Sequence, residues 1–377
     1  MHARIDLKLY WGVLVRKGEG CVREGTGHWS TGRGRGGVDG VRAPATIIVP
    51  CRNEAAHIQS FLADLERQVA QVPGMAIIIA DGMSDDGTRE ALAAAASRLP
   101  TLRVIDNPRR HVSPGLNAAI LAADSEYIIR LDVHTRYADD YCRQCLEVAR
   151  ETGAANVGGA ARTEATGYMP RVIAAAYGSP FAVGGARFHF ADYEGEVDTV
   201  TYGCWPRQTL LDVGMFDETL VRNQDDELNF RLKRAGLRVW QSARIRSWYR
   251  PRGSLSQLFR QYYQYGYWKV AVIRKHGGAA SWRHYIPATF VGAGVALAAG
   301  SILLHPLAWL FAAWAATYLA FVVAGSLATA RAQGWALLPM LPAAFAAFHW
   351  GYGLGFLRGL MARPGQGASA SVTKLSR

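Results

Sequence analysis

Two residues with metal-binding side chains, Asp132 and His134, follow the apolar run at 127–129 and are separated by Val133. Such a run is typical of a buried strand, and in an open α/β sheet ligands bind at the C-terminal tips of the strands. If the strand continues through Val133, both polar side chains leave it on the same face, where they can converge on a cation. An isolated triplet of this kind is more often a capping acid and a surface histidine in a loop, so the neighbouring segments decide between the two interpretations.

The segments before this triplet predict the sheet that would position it. Apolar, partly β-branched runs at 46–49, 75–80 and 102–105 are each followed by a polar turn and a helical pattern. Strands that alternate with helices of this length form βαβ units, whose parallel strands present their C-terminal tips at one edge. We therefore expect an α/β domain over residues 45–250, with a mostly parallel sheet flanked by helices.

Charge is distributed unevenly along the chain, whose formal net charge is +12. Residues 45–227 carry 16 Lys and Arg against 26 Asp and Glu, whereas residues 228–377 carry 18 Lys and Arg and no acid. The basic part leads directly into long apolar segments, a combination that favours a membrane surface over nucleic acid as a partner.

The N-terminal residues and the cysteines have no recognisable site. Residues 1–44 are rich in Gly and Arg and predict a disordered extension. The five cysteines are scattered and no secretory signal peptide opens the chain, which indicates reduced thiols. Cys142 and Cys145 have C-x-x-C spacing but lie in a helical pattern without a second pair, so ordinary helix-face cysteines are favoured over a zinc site.

The C-terminal part predicts a membrane anchor. Residues 251–284 interleave aromatic and basic side chains, as an amphipathic helix at a membrane interface does. Within 285–360, the stretches 286–304 and 307–328 are long enough to cross the hydrocarbon core, and 335–357 is a third candidate interrupted by prolines.

The orientation follows from the positive-inside rule. The 13 Lys and Arg of residues 228–285 precede the first span and place the α/β domain in the cytoplasm. Three spans would leave the basic tail, residues 361–377, on the other side. Either the third segment is re-entrant or interfacial, or the first basic flank dominates.

Five motifs follow one another between residues 47 and 232: IIVPCRNE at 47–54, IIIADGMSDDGT at 77–88, NPRRHVSPGLNAAI at 107–120, LDVH at 131–134 and NQDDELNFRL at 223–232. In this order they resemble the inverting, nucleotide-sugar-dependent glycosyltransferases of family 2, which have the two-lobed GT-A fold. The members they resemble most are the bacterial exopolysaccharide enzymes of the succinoglycan type.

The resemblance implies an activity, partners and a place in the cell. The activity is transfer of a hexose, glucose in first place, from a UDP-sugar to a lipid-linked saccharide acceptor in exopolysaccharide biosynthesis. The motifs leave the base and sugar of the donor open. The resemblance further implies a GT-A domain, an interfacial helix and C-terminal transmembrane helices, with the catalytic domain on the cytoplasmic side of the bacterial inner membrane.

By the resemblance, the donor binds at the loops that follow the first strands. The residues concerned are Pro50, Arg52, Asn53, Glu54, Asp81, Gly115, Asn117 and Asp132. Asp81 corresponds to the acid that accepts a hydrogen bond from a uracil ring. A cap on the turn at Gly82 explains the same residue equally well.

The resemblance also assigns a divalent cation, Mn²⁺ or Mg²⁺, to Asp132 and His134. The family usually carries an acid-x-acid triplet here. Because imidazole is a softer ligand than carboxylate, His134 shifts the expected metal from Mg²⁺ towards Mn²⁺. The same departure leaves open whether His134 is a ligand at all.

Alignment of 223–232 with the family puts the catalytic base at Asp225, with Asp226 as the alternative. An acidic first turn that stabilises a helix explains both residues without catalysis. Expected contacts to the acceptor or the diphosphate come from an aromatic residue of the glycine-rich middle region and from a Q-x-x-x-W element; these residues are Trp205, Gln264, Trp268 and Lys269.

Two other functions compete with this one. A sugar nucleotidyltransferase shares an α/β nucleotide fold, but the first strand is not followed by a Gly-rich, Lys- or Arg-ended loop for a triphosphate. A non-catalytic membrane scaffold of an export machine is the second. The joint presence of Asp81, Asp132 and Asp225 argues against it.

Overall fold

The computed structural model describes residues 42–278 and 281–362. The disordered extension expected over 1–44 lies, up to residue 41, outside the described residues, as does the basic tail from residue 363 onwards. The described residues belong to one compact unit that begins at Arg42.

The order of elements confirms an α/β architecture. The strands are β1 (Ala43–Cys51), β2 (Ala76–Asp81), β3 (Leu102–Asp106), β4 (Ser125–Arg130), β5 (Arg136–Tyr137), β6 (Asn156–Gly159), β7 (Ala161–Thr163), β8 (Gly195–Glu196), β9 (Thr201–Pro206), β10 (Val239–Gln241) and β11 (Ser247–Tyr249). The α-helices are α1 (Ala55–Gln71), α2 (Thr88–Arg98), α3 (Val112–Ala122), α4 (Tyr141–Thr152), α5 (Tyr168–Tyr177), α6 (Pro180–Val183), α7 (Arg207–Asp212), α8 (Gln224–Arg234), α9 (Leu255–His276), α10 (Ile286–Leu303), α11 (His305–Gln333) and α12 (Leu341–Met361). Short 3₁₀ turns lie at Arg187–His189, Trp282–Tyr285 and Trp335–Leu337.

Eight strands form the main sheet in the order β3-β2-β1-β4-β9-β6-β10-β8. The first four are parallel, and β9 pairs antiparallel with both β4 and β6. A smaller sheet of three strands has the order β5-β11-β7. The mostly parallel sheet flanked by helices is therefore confirmed.

Alternate residues of the strands supply two cores, one on each face of the main sheet. Ile47 and Val49 of β1 pack in one core with α1 and α4, whereas Ile48 packs in the other with α3 and α8. This is the period of two that buried strands require, and it explains why the β-branched run forms a central strand.

Parallel pairing brings the C-terminal tips of β1, β2 and β4 together; we call this the sheet edge. Cys51 pairs with Asp81, and Ile48 pairs with Arg130. Strand β4 ends at Arg130, so the continuation through Val133 considered above is wrong. Residues 131–135 form a turn in which the Thr135 N–H donates to the carbonyl of Asp132 (3.2 Å).

Helices α9 and α12 run parallel in backbone contact; we call them the helix layer. Gly351, Gly355 and Gly359 of α12 face the backbone of α9, and a Cβ on Gly355 would lie 2.0 Å from the carbonyl oxygen of Tyr263. Glycines spaced by four residues allow this approach in packed apolar helices. The amphipathic segment predicted over 251–284 thus contains α9, which is covered along one face by α12.

Among the described residues, two helical segments are long and apolar enough to cross a membrane, Trp282–Leu303 and His305–Gln333. The third candidate, 335–357, is mostly α12. The buried face of α12 packs on α9 and on α5, so this segment belongs to the helix layer.

Candidate active site

The loops after β1 and β2 clasp each other at the sheet edge. The backbone N–H of Asn53 donates to the Ser84 hydroxyl (2.9 Å), and its side-chain amide donates to Asp85 (2.9 Å). The Asp85 N–H donates in return to the side-chain oxygen Oδ1 of Asn53 (3.1 Å). Asn53 has φ 54°, a left-handed conformation that asparagine tolerates better than most residues. This reciprocal pair holds the first donor loop in one shape.

Asp81, at the tip of β2, is fully buried. Its carboxylate accepts hydrogen bonds from the Ser84 N–H (3.1 Å) and hydroxyl (2.5 Å) and from Arg89 (2.8 Å). Both its capping role at the turn and its position beside the donor loops are therefore visible. Because Ser84 and Arg89 occupy this carboxylate, a direct contact with a nucleobase would require one of them to give up its hydrogen bond.

Other predicted donor residues line the same edge. Pro50 pairs with Ala80 near the end of β1, and the side chain of Arg52 lies against Gly82. Glu54 is buried, its N–H donates to the Thr88 hydroxyl (2.8 Å), and its carboxylate lies 3.9 Å from Nδ1 of His134.

Gly115 and Asn117 have packing roles in helix α3. A Cβ on Gly115 would lie 2.7 Å from the amide nitrogen of the Asn107 side chain, so a larger residue would displace that amide. Asn117 exchanges two hydrogen bonds with the backbone of Phe216 (both 2.9 Å) and donates to Glu218 (2.9 Å). The bonds of Asn117 hold α3 beside the 216–218 loop.

Arg130 joins Asp132 to Asp225. Its Nε and Nη2 donate to the two carboxylate oxygens of Asp132 (3.0 and 3.2 Å), and its Nη1 donates to Oδ1 of Asp225. The guanidinium is almost completely buried, with 5% of the residue exposed. A buried arginine at the end of a strand needs acidic partners, and this requirement was the signal that sequence reasoning missed.

The electrostatics of Asp225 suit a general base. Burial raises its pKa above the ordinary value of 3.8, and repulsion from Asp132 and Asp226 acts in the same direction, while Arg130 opposes both. Because a third of the Asp225 side chain reaches solvent, the shift is moderated by water. The carboxylate is thus more basic than an exposed aspartate and is still held in its charged form by Arg130.

Asp226 faces the other way, towards the helix layer, where it forms an ion pair with the buried Lys269. Gln264, fully buried, accepts a hydrogen bond from Arg222 (3.2 Å), and Trp268 packs with Leu220. The α9 residues predicted to contact the acceptor or the diphosphate therefore lie on the face of α9 that packs against the α/β domain.

Trp205 lies in the core. Its indole is 1% exposed and meets Phe216 edge-on, with ring centroids 5.9 Å apart. The predicted contact between Trp205 and the acceptor does not fit this position, because a sugar cannot reach a fully covered side chain. Its aromatic character reflects packing, the more common role.

A second feature missed from the sequence is Glu227, which is fully buried and ties α8 to α9. It accepts from Arg231 (2.8–3.1 Å), Lys275 (2.8 Å) and the His276 ring (2.8 Å). The helix that carries Asp225 and Asp226 is therefore held to the helix layer by charge.

The residues at the sheet edge suit a cation only together with a substrate. In residues 42–278 and 281–362, no three His, Cys, Asp or Glu side chains lie close enough to hold an ion by themselves. Asp132 and His134 offer two metal ligands, and the oxygens of Asp132 already accept hydrogen bonds from Arg130. Octahedral cations take additional oxygens readily from phosphates, so a nucleotide diphosphate can complete such a site.

Comparison with known proteins identifies the family. A model of glycosyl transferase family 2 matches residues 46–212. The chain is 32% identical to the succinoglycan biosynthesis protein ExoA of Rhizobium meliloti over 321 residues, which cover 84% of this chain and 94% of that protein. This chain belongs to glycosyl transferase family 2. It is a nucleotide-sugar-dependent glycosyltransferase, as the motifs predicted.

Two further comparisons extend the picture. A Methanococcus voltae enzyme, a dolichyl N-acetyl-alpha-D-glucosaminyl phosphate 3-beta-D-2,3-diacetamido-2,3-dideoxy-beta-D-glucuronosyltransferase, is 25% identical over 61% of this chain and 74% of its own length. The mannosyltransferase PcManGT from Pyrobaculum calidifontis, solved with GDP-Man and Mn²⁺, superposes with a TM-score of 0.57 at 20% identity, over 85% of this chain and 87% of its own. The latter confirms the GT-A fold.

Proposed function

We propose that this family 2 enzyme transfers a hexose, glucose in first place, from a UDP-sugar to a lipid-linked saccharide in exopolysaccharide biosynthesis, with inversion. The observation that carries the mechanism is the position of Asp225, a carboxylate of raised basicity linked through Arg130 to the donor side of the cleft. Support for the polysaccharide comes from the likeness to the succinoglycan protein, and support for a lipid-linked acceptor comes from the archaeal dolichyl-phosphate enzyme.

The proposed chemical step uses Asp225 as general base. Asp225 takes the proton from an acceptor hydroxyl while the oxygen of that hydroxyl forms a bond to the anomeric carbon of the donor sugar. The bond between that carbon and the diphosphate breaks, and its electron pair leaves with the nucleoside diphosphate. Attack from the face opposite the leaving group inverts the configuration.

Asp132 and His134 would hold a divalent cation, Mn²⁺ in preference to Mg²⁺, against the diphosphate. When bound, such an ion neutralises the charge that develops on the leaving group. The archaeal mannosyltransferase solved with Mn²⁺ supports this assignment. The loops at Asn53 and Ser84 and the turn at Asp81 then form the nucleoside side of the pocket.

Helices α10 and α11 form the proposed membrane anchor. Both are largely exposed and apolar, and α11, at 29 residues, exceeds the roughly 20 residues that cross a bilayer. Its C-terminal end stays with the body, since Thr329 donates to Ser179 (2.9 Å) and Gly325 lies against Phe181. In this proposal the chain crosses the membrane away from the catalytic domain through α10 and crosses back through α11.

A two-helix anchor would avoid the orientation problem posed by three spans. Helix α12 lies beside α9, and Arg274 donates to the carbonyls of Leu360 (2.6 Å) and Ala362 (2.7 Å). The chain therefore leaves α12 on the side of the catalytic body, which we assign to the cytoplasmic face of a bacterial inner membrane. Basic residues on both flanks of the hairpin then obey the positive-inside rule.

The test is a matched pair of substitutions in adjacent residues. Asp225→Asn should lower the rate of transfer by at least 100-fold, because an amide of nearly the same shape cannot take the proton, and a positioned base contributes about 10² to 10⁴ in rate. UDP affinity should stay nearly constant, because the donor loops precede residue 135. Asp226→Asn should be much milder.

Initial transfer rates and UDP titrations on the full chain in detergent measure both effects. A reversed pair of phenotypes would make Asp226 the base. Wild-type transfer in both variants would exclude a base on α8.

A further inference from the structure

Arg130 is the last residue of β4. Among the described residues, it is one of the few charged residues that are buried. Its three hydrogen bonds to carboxylates end on two residues that lie far apart in the chain. Two bonds go to Asp132, beside it in sequence, and one goes to Asp225, 95 residues away on α8. A single guanidinium therefore contacts the donor side and the acceptor side of the cleft.

Arginine is suited to this task because its donors form a rigid planar fork. The fork fixes two carboxylates in distance and in angle, whereas the lysine ammonium is a point charge on a flexible stem. Burial of Arg130 also excludes water that would loosen these bonds. A lysine would suffice if the side chain only neutralised two carboxylates, but a lysine could not fix the geometry of both.

We propose that Arg130 is a positioning residue that sets the place of the base Asp225 relative to the donor-side carboxylate of Asp132. The proposal rests on the assignment of Asp225 as base made above. Arg130 holds Oδ1 of Asp225, so the acceptor proton goes to Oδ2. Asp226 does not contact this fork and instead pairs with Lys269 of the helix layer.

The test is a double-mutant cycle on the full-length chain with UDP-glucose as donor. Arg130→Lys keeps the charge and removes the fork, and it should lower kcat by about 100-fold, the cost of displacing a reacting group by about 1 Å. In the Asp225→Asn background the same change should cost less than about threefold, because the group that Arg130 positions is already inactive. Arg244→Gln, which removes an exposed arginine paired with Glu151, serves as the matched control and should leave kcat unchanged.

A second variant keeps the test valid if Arg130→Lys does not fold, which thermal unfolding would show. Asp225→Glu retains a carboxylate at a partly exposed position but places it one methylene further along. If position matters, this variant should also lose about tenfold or more in kcat while UDP affinity is unchanged.

The outcomes separate this proposal from the proposed function. Asp225→Asn with full activity removes the base assignment, and the positioning role falls with it. If Asp225→Asn is inactive as expected, wild-type kcat in either Arg130→Lys or Asp225→Glu overturns the positioning role alone. Equal fold-losses for Arg130→Lys in both backgrounds overturn it as well, because a structural residue gives additive effects.

Discussion

At the sheet edge, polar side chains are held by charge and hydrogen bonds, whereas in the helix layer the backbones touch through glycines. The edge can therefore take additional partners, because the oxygens of Asp132 that accept from Arg130 keep lone pairs with which they could hold a cation. The layer has no such freedom, because a Cβ on Gly355 has no space. The two neighbouring acids of α8 divide between these regions: Asp225 bonds to the sheet edge through Arg130, and Asp226 bonds to the layer through Lys269.

The largest effect should come from removing the cation at the sheet edge. We expect a chelator to abolish transfer and Mn²⁺ to restore it better than Mg²⁺, because an imidazole joins one carboxylate in the donor set. Transfer rates after dialysis against EDTA and re-addition of each ion measure this. His134→Asp should move the preference towards Mg²⁺, and full activity in the chelator would remove the metal from the account.

A smaller but clear effect should come from a single methyl group in the helix layer. Gly355→Ala places a Cβ against the Tyr263 carbonyl, and overpacking of this kind costs about 1–3 kcal/mol. Gly292→Ala in α10 is the matched control, since its nearest neighbour would be the Leu357 side chain at 3.7 Å. Thermal unfolding of the detergent-solubilised protein should show a lower midpoint for the first variant alone; equal midpoints would mean that the layer is loosely packed.

The smallest expected effect is a shift in the pH profile of transfer. As the pH falls, Asp225 becomes protonated and transfer should decline. Because the pKa of Asp225 is raised above 3.8, this decline should begin at a higher pH than it would for an ordinary aspartate. Asp226→Asn removes one of the negative charges that raise this pKa, so the acid limb should move to lower pH.

The matched control for this shift is Asp124→Asn, at an exposed site. It should leave the limb in place. A limb that moves to higher pH in Asp226→Asn would contradict the electrostatic link between the two acids.

Local patterns predicted the first half of the fold well. The runs at 46–49 and 75–80 became β1 and β2, because β-branched residues followed by a polar turn suit few other structures. Asp81 and Asp132 lie at the sheet edge, where their positions after strands predicted them, and Asp225 is linked to that edge through Arg130.

Contacts between distant segments could not be predicted in this way. Arg130 and Asp225 meet only because β4 and α8 come together in three dimensions. The glycines of α12 were visible at a spacing of four, but without the position of α9 the same segment was also compatible with an interrupted membrane span. Trp205 was considered at the surface because aromatic character does not distinguish a sugar platform from a core.

The most direct test of the central claim is transfer by the full-length chain in membranes supplied with a panel of labelled nucleotide sugars. We predict that label from a UDP-hexose enters the fraction of saccharides extracted with lipid, and that Asp225→Asn abolishes this incorporation. Absence of labelled lipid with every donor, or formation of a new nucleotide sugar instead, would contradict it.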